Sequence, residues 1–207
     1  MTQPTADVID LLAGIAPGSH LDTIRARRPE ARANAQRSFA ALLEPATPGA
    51  FPLVDRYVVA AFVAGLHGFD RATAFYADLL ADEADAAVLE ALHRSVAQAA
   101  AAGPAGSYRE PGLAAESTVA AVWTPEASDA DVFGARLTAA LVHAQLLVLR
   151  PREASPDAVR ALVDAGWDAD GIVTLSQLVA FLSFQLRSAW ALSVLQDAPV
   201  PVEGVLR

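Results

Sequence analysis

The sequence predicts an all-α protein, and three observations lead to that expectation. Of its 207 residues, 54% are hydrophobic but only 7% are aromatic, so the apolar content is mostly Ala, Leu and Val, and Ala and Leu favour helices. Apolar residues recur at helical spacing along several segments. Proline and glycine stand at the ends of these segments, where helices stop. The length fits a single domain, 1–207, with a sizeable core.

Residues 1–50 are expected to form a helical extension. In "TADVIDLLAG", Thr5 or Asp7 can cap a short helix, and the glycine can end it. A second helix, "EARANAQRSFAALLEP", follows Pro29 and is closed by its own final proline.

Residues 51–102 are predicted to be the first helical half of the domain. The predicted helices span 53–66, 71–81 and 85–102. The first of them is an almost uninterrupted apolar segment and is too short to cross a bilayer, which is typical of a buried core helix. His67 and Gly68 end it, and Asp70 can cap the helix that follows.

A loop over 103–128 is predicted to separate this half from a second helical half over 129–197. The loop carries three prolines and three glycines, a composition that favours irregular structure. The second half begins with a helix that stops at Pro151. A short helix follows, with Ser155 as its N-cap and Gly166 as its C-cap.

The last predicted helix lies within "DADGIVTLSQLVAFLSFQLRSAWALSVLQ" and carries two apolar stripes. Two stripes indicate burial on more than one side, as in a homo-oligomer. A membrane span is the competing interpretation. It is disfavoured because several polar side chains would be costly in lipid. They are Ser176, Gln177, Ser183, Gln185 and Arg187.

The charge pattern argues against nucleic-acid binding. The formal net charge is -9, from 24 acidic and 15 basic residues, whereas phosphate binding favours a basic face. All the basic residues are arginines, so no lysine is present for Schiff-base chemistry. Several arginines cluster near the N-terminus, and the acids among them predict a solvated helix face. They are Arg25, Arg27, Arg28, Arg32 and Arg37.

The chain has no cysteine, which excludes disulfides, thiolate nucleophiles and thiolate metal sites. No pair of its four histidines has HxxxH or HExxH spacing, so we expect neither a metal nor another cofactor. The N-terminus shows no basic region followed by a long apolar run. We therefore expect a cytoplasmic protein that is not inserted in a membrane.

Two segments together resemble a known family. "DRYVVAAFVAGLHGFDRATAFYADLL" is followed by "LTAALVHAQLLVLRPREASPDAVRALVDAGWDADGIVTLSQLVAFLSFQLRSAWAL". Over roughly residues 50–196, this order resembles the carboxymuconolactone decarboxylase family, in its alkylhydroperoxidase AhpD-like, peroxidase-related branch. The resemblance implies an all-helical bundle that assembles into dimers, trimers or hexamers. In active members it also implies a motif like NGCxxCxxxH, preceded by a glutamate.

The chemical residues of that motif are absent here. Its Asn-Gly corresponds to His67 and Gly68. The two cysteines, the histidine and the glutamate correspond to Phe69, Ala72, Tyr76 and Tyr57. The family's Asn-Arg pair in the last helix reads Leu186-Arg187. Without cysteine the chain cannot carry out thiol peroxidase chemistry.

The candidate pocket consists of seven residues. They are Tyr57, His67, Phe69, Ala72, Tyr76, His143 and Arg187. His67 is either a helix-capping or interface histidine or a functional imidazole at a helix end. His143 is either a hydrogen-bonded core histidine or a base. For Arg187 the alternatives are a buried structural ion pair and a site for an anionic ligand. Tyr57 and Tyr76 have the pattern of core aromatics whose hydroxyls reach a partner.

Three hypotheses about function follow. The first is a cysteine-free member of this family with a binding or accessory role and a small-molecule ligand. The second is a thiol-independent enzyme that transfers a proton on a small carboxylate or lactone, with His67 or His143 as base and Arg187 holding the carboxylate. The third is an assembly subunit whose pocket is filled by its own aromatic residues.

Overall fold

The computed structural model describes residues 7–119 and 121–197, and within these ranges it is all-helical, as predicted. The nine α-helices are α1 (Val8–Ala13), α2 (His20–Ala26), α3 (Pro29–Leu43), α4 (Leu53–His67), α5 (Asp70–Ala81), α6 (Ala86–Ala99), α7 (Ala127–Leu149), α8 (Pro156–Asp164) and α9 (Ala169–Asp197). Two short 3₁₀ helices span Pro111–Glu116 and Pro151–Glu153.

Helix α4 forms the centre of the fold. Every residue from Arg56 to Ala64 is buried, as is Leu66. The helix contacts α3, α5, α6, α7 and α9, which explains why its sequence is almost uninterruptedly apolar after Arg56. Its close approach to α6 depends on Gly65, because a Cβ atom there would lie 2.5 Å from Cγ1 of Val96. The prediction of a buried core helix is confirmed.

Helix α8 begins after its predicted N-cap, Ser155, and its C-cap is Ala165, one residue before the predicted Gly166. The Ser155 hydroxyl accepts a hydrogen bond from the amide of Ala158 at 3.4 Å. Gly166 follows the last turn with φ 91°. Its amide donates to the carbonyl of Val163 at 2.9 Å, and the amide of Trp167 donates to the carbonyl of Leu162 at 3.0 Å. These two bonds form a Schellman motif, which satisfies carbonyls that the helix end leaves free.

Several element boundaries differ from the prediction. Helix α2 was not predicted, because its seven residues are too few for a clear apolar period. Asp70 is the first residue of α5, and Phe69 occupies the cap position without a side-chain hydrogen bond. Helix α6 ends at Ala99, and α7 is interrupted at Gly134, which has φ 73° and ψ 162°.

The prediction of a solvated arginine face is wrong for Arg25 and Arg32, which pair with acids of α1 and α2. Arg25 Nη2 lies 2.8 Å from Asp7 Oδ2, and Arg25 also pairs with Asp10. Arg32 Nε lies 3.1 Å from Asp10 Oδ2, and its Nη2 lies 2.5 Å from Asp22 Oδ1. The cluster forms because α1 folds back against α3, a contact between distant segments.

Helix α9 packs against α1, α3, α4, α7 and α8 through one face. The opposite face is exposed and carries large apolar side chains. They are Val173, Phe184, Trp190, Val194 and Leu195. By length and composition alone, α7 and α9 could cross a membrane, a criterion that core helices of soluble proteins also meet.

Candidate functional site

His67 lies at the end of α4, beside the middle of α9. Its Nε2 is 3.4 Å from Oγ of Ser183. The pKa of His67 is lowered to about 4, mainly by burial and in addition by the positive charge of Arg187. The imidazole is therefore neutral at pH 7 and can act as a hydrogen-bond acceptor or a weak base.

This geometry predicts a pH dependence of stability. The folded-state pKa of His67 lies below the ordinary value of 6.5, so the unfolded chain binds the extra proton between pH 6.5 and about 4. The free energy of unfolding should be at its full value above pH 6.5 and should fall as the pH decreases through this window. Because the ring is partly exposed, we expect the contribution of His67 to be only about 1–2 kcal/mol.

The measurement is denaturant unfolding of the wild type and of His67→Gln between pH 4 and 8. The variant should lose less stability on acidification than the wild type. His93→Gln serves as the control, because His93 is exposed on α6. Equal pH slopes in the wild type and the His67 variant would contradict the prediction.

The residues at the positions that the sequence resemblance assigns to a redox motif are mostly buried. Ala72 and Tyr76 have no exposed surface, so a ligand from solution cannot touch them. The Tyr76 hydroxyl donates to Oε1 of Gln185, and burial raises the pKa of Tyr76. Phe69 is half-buried and packs against the core. This part of the predicted pocket is occupied by the protein's own side chains.

Tyr57 is also buried, with its hydroxyl 3.5 Å from Oε1 of Glu44. Burial raises its pKa, and the negative charges of Glu44 and Glu83 add to the effect. The phenol therefore stays protonated, as expected for a core aromatic with a polar partner.

Arg187 is exposed on α9 and forms no salt bridge with any described residue. The buried ion pair considered from the sequence is therefore wrong for the single chain. The reason is the helix register, since position 187 falls on the side of α9 away from the core. Arg187 and His67 are brought together, whereas His143 lies against a different turn of α9.

His143 lines a cavity of about 400 Å³ between α7 and α8. Its Nε2 lies 3.4 Å from Oγ of Ser176, and its Nδ1 has no hydrogen-bond partner. The side chain is only 6% exposed, and burial lowers its pKa. The cavity therefore contains a neutral imidazole with one unsatisfied nitrogen.

Arg150 is a second polar residue of the same cavity, and the sequence analysis missed it. It is 7% exposed, and its Nε donates to Oε1 of Gln145 at 3.2 Å. Its Nη1 donates to Oε2 of Glu153 at 2.8 Å. Its Nη2 donates to no described group. The only local signal in the sequence is an arginine between the end of a predicted helix and Pro151, and a proline there indicates a helix end but no cavity.

The other walls of the cavity are mainly apolar, with Ser155 and Ala161 exposed at its rim. The apolar wall residues are Ala139, Val142, Leu146, Ala158 and Ala161. Ser155 is the N-cap of α8, so the positive end of that helix dipole lies at the cavity. The arrangement suits a small molecule with an apolar body and an anionic end.

A more open cavity of about 540 Å³ lies along the loop before α7. There the guanidinium of Arg152 stacks 3.9 Å from the ring centroid of Tyr108, and its Nη2 donates to the Tyr108 hydroxyl at 2.5 Å. The two polar side chains thus satisfy each other. The cavity at His143 is the better candidate because its polar groups remain available.

The chain matches no protein-family model, no curated protein and no solved structure. The resemblance to the carboxymuconolactone decarboxylase family therefore stays a prediction from sequence. Within the described residues, no three His, Cys, Asp or Glu side chains lie close enough to hold a metal ion.

Proposed function

We propose that this protein binds a small organic acid in the cavity between α7 and α8, without thiol chemistry. The observation that carries the proposal is that two buried polar residues of the same cavity each have a nitrogen without a hydrogen-bond partner among the described residues. They are the unpartnered Nδ1 of His143 and the free Nη2 of Arg150. Leaving the buried Nδ1 of His143 unsatisfied costs free energy. A ligand carboxylate that accepted from it would remove that cost and could also accept from Nη2 of Arg150.

A carboxylate fits this cavity better than a cation does. Arg150 offers donors in a planar fork that matches a carboxylate, and the start of α8 adds a favourable dipole. Glu153 already pairs with Arg150 through Nη1, so the two side chains have no net charge together. The ligand carboxylate would accept from Nη2, which that pair does not use. Alanine, valine and leucine side chains can cover the apolar body of the ligand.

The wider proposal keeps the family resemblance. The protein would be a cysteine-free, cytoplasmic relative of the AhpD-like proteins, with a binding or accessory role in an assembly of several copies. The order of its helices and the absence of cysteine support this interpretation. Reduction of an organic hydroperoxide by the purified protein with a dithiol donor would overturn it.

The ligand proposal predicts that Arg150→Gln weakens binding of benzoate, used as a probe acid. Loss of a charge-assisted hydrogen bond should reduce the affinity about tenfold or more. Calorimetric titration measures the effect. The matched control is Arg160→Gln, because Arg160 is exposed on α8 and does not line the cavity. Equal affinities in the wild type and Arg150→Gln, or no binding of benzoate and related acids by the wild type, would contradict the proposal.

A second proposal is a thiol-independent enzyme that moves a proton on a small carboxylate. It is favoured by the contact between His67 and Ser183 and by the exposed Arg187 beside them. His67 would be the base and Arg187 would hold the carboxylate. In this version His143 would not cooperate with Arg187, since it contacts Ser176 instead. Exchange of the α-protons of a carboxylate substrate analogue with D₂O, lost in both His67→Gln and Arg187→Gln, is the expected result.

A further inference from the structure

The exposed side of α9 carries a regular set of residues that we call the outer stripe. Its members stand alternately three and four residues apart, and all are exposed. They are Asp170, Val173, Gln177, Ala180, Phe184 and Arg187. The same spacing continues to the exposed Ala191 and Val194, which carry no charge and lie beyond this set. The stripe lies opposite the core-facing residues of α9 and extends about 26 Å along the helix. Alternating spacing of this kind is the pattern by which two helices pair along a seam.

We infer that two copies of the chain associate through their outer stripes, with the two α9 helices antiparallel. The stripe is symmetric about the point midway between residues 178 and 179. Antiparallel pairing about that point brings Arg187 opposite Asp170 of the second copy, and Phe184 opposite its Val173. Gln177 then faces Ala180 across the centre. Each of these contacts occurs twice, as a two-fold axis requires.

Charge complementarity selects this arrangement. Asp170 and Arg187 are the only charged members of the stripe, they have opposite signs, and they stand at its two ends. An antiparallel pair makes two ion pairs that flank an apolar centre. In a parallel pair, Asp170 would face Asp170 of the second copy and Arg187 would face its Arg187, and such contacts between like charges are unfavourable. The charges of the stripe thus specify the orientation of a second copy. Binding to a lipid surface would not require this arrangement of charges.

The pairing also connects with the sites described above. Ser176 and Ser183, the partners of His143 and His67, lie two helical turns apart along one flank of the stripe. The partner's Asp170 would meet Arg187, which in the single chain forms no salt bridge with a described residue. The inference deepens the assembly part of the proposed function, and it does not depend on the cavity that would hold the organic acid.

The sharpest test is a charge exchange followed by sedimentation equilibrium. The wild type should be a dimer. Arg187→Glu places two acids opposite each other at both ends of the stripe and should weaken dimerisation about tenfold or more. The double variant Asp170→Arg with Arg187→Glu exchanges the signs and should restore it. A wild type that stays monomeric, or a double variant no better than Arg187→Glu, would overturn the inference.

A second measurement addresses the apolar centre. Phe184→Glu should give a monomer, whereas Leu11→Glu should not, although the two side chains are exposed to nearly the same extent, 58% and 57%. A monomeric wild type that binds lipid vesicles through Phe184 would assign the face to a membrane and overturn the inference. Benzoate binding should persist in Phe184→Glu, and Arg150→Gln should still dimerise, so the two proposals can fail separately.

The absence of cysteine permits a direct test of the orientation. Gln177→Cys and Ala180→Cys are prepared as separate single variants and then mixed under oxidising conditions. An antiparallel pair should give mainly the mixed 177–180 disulfide, because these positions face each other across the centre. Mainly self-linked dimers in the mixture would indicate parallel pairing and overturn the inference.

Discussion

Replacing Arg25 by methionine is expected to lower the free energy of unfolding by about 3–5 kcal/mol, the cost of leaving a buried charge without its partner. Arg25 bridges two carboxylates of α1 that are almost fully buried, Asp7 at 2% exposed and Asp10 at 3%. Burial opposes the charge of Arg25, but hydrogen bonds and attraction from both aspartates outweigh it and raise its pKa. The guanidinium is therefore held firmly between the two acids.

The removal of Arg25 leaves the two aspartates with different numbers of remaining partners. Asp10 keeps Arg32, whose Nε lies 3.1 Å from its Oδ2. Asp7 keeps only the amide of Asp10, which donates to its Oδ1 at 2.8 Å as the N-cap bond of α1. Most of the expected loss therefore comes from Asp7. Because Asp7 is also a helix cap, a variant at this position must preserve the cap.

Urea unfolding of a double-mutant cycle tests this prediction. Asparagine caps a helix about as well as aspartate does, so Asp7→Asn combined with Arg25→Met should recover part of the stability lost in Arg25→Met alone. Arg27→Met is the control, because Arg27 is exposed and should change stability by less than about 0.5 kcal/mol. A loss in Arg25→Met no larger than that of the control would show that the cluster contributes little.

The cluster also shows which features the sequence could predict. Helix α8 was predicted to within a residue, because Ser155, Pro156 and Gly166 act through bonds inside one short segment. The burial of helix α4 is predicted because an almost uninterrupted apolar run needs partners on several sides. Arg25 and Arg32 were assigned to a solvated face, because their partners on α1 come close only after the chain folds back.

In the candidate site too, the sequence indicates single residues but not the contacts between distant segments. Residue type alone indicated His67 and His143 as the histidines worth attention, and both have lowered pKa values from burial. The partners of these histidines, Ser183 and Ser176, depend on how α9 turns against α4 and α7. No local sequence pattern predicts which residues of α9 face α4 and which face α7. Arg150 was missed for the same reason, since its importance comes from a cavity that three separate elements enclose.

Replacing Arg56 by methionine is expected to cost about 3 kcal/mol or more, because three carbonyl groups, one buried and two partly buried, would lose their donor. Arg56 is 4% exposed. Its Nε donates to the carbonyl of Phe51 at 2.8 Å, its Nη1 to that of Leu42 at 2.6 Å, and its Nη2 to that of Pro48 at 3.2 Å. Burial lowers the pKa of the guanidinium, and no carboxylate among the described residues pairs with it.

These bonds fix residues 44–52 against the central helix. The carbonyl of Leu42 is one of the last four of α3, which the helix itself cannot satisfy, and the negative end of the helix dipole favours a cation there. The guanidinium also lies 4.6 Å from the ring centroid of Phe51. Phe51 in turn packs edge-on against Trp167 at 5.0 Å. Loss of Arg56 should therefore loosen the segment together with its aromatic contact.

Three variants separate the effect of the positive charge of Arg56 from the effect of its planar hydrogen-bonding geometry. Arg56→Lys keeps the positive charge but cannot reach three carbonyls with a planar fork, so it should recover less than half of the loss seen in Arg56→Met. Arg37→Met, at an exposed position on α3, should be close to wild type. Hydrogen exchange measured by mass spectrometry should rise over residues 44–52 before the rest of the protein opens. Full stability in Arg56→Lys would show that charge alone matters, and unchanged exchange in Arg56→Met would show that the segment is held by packing.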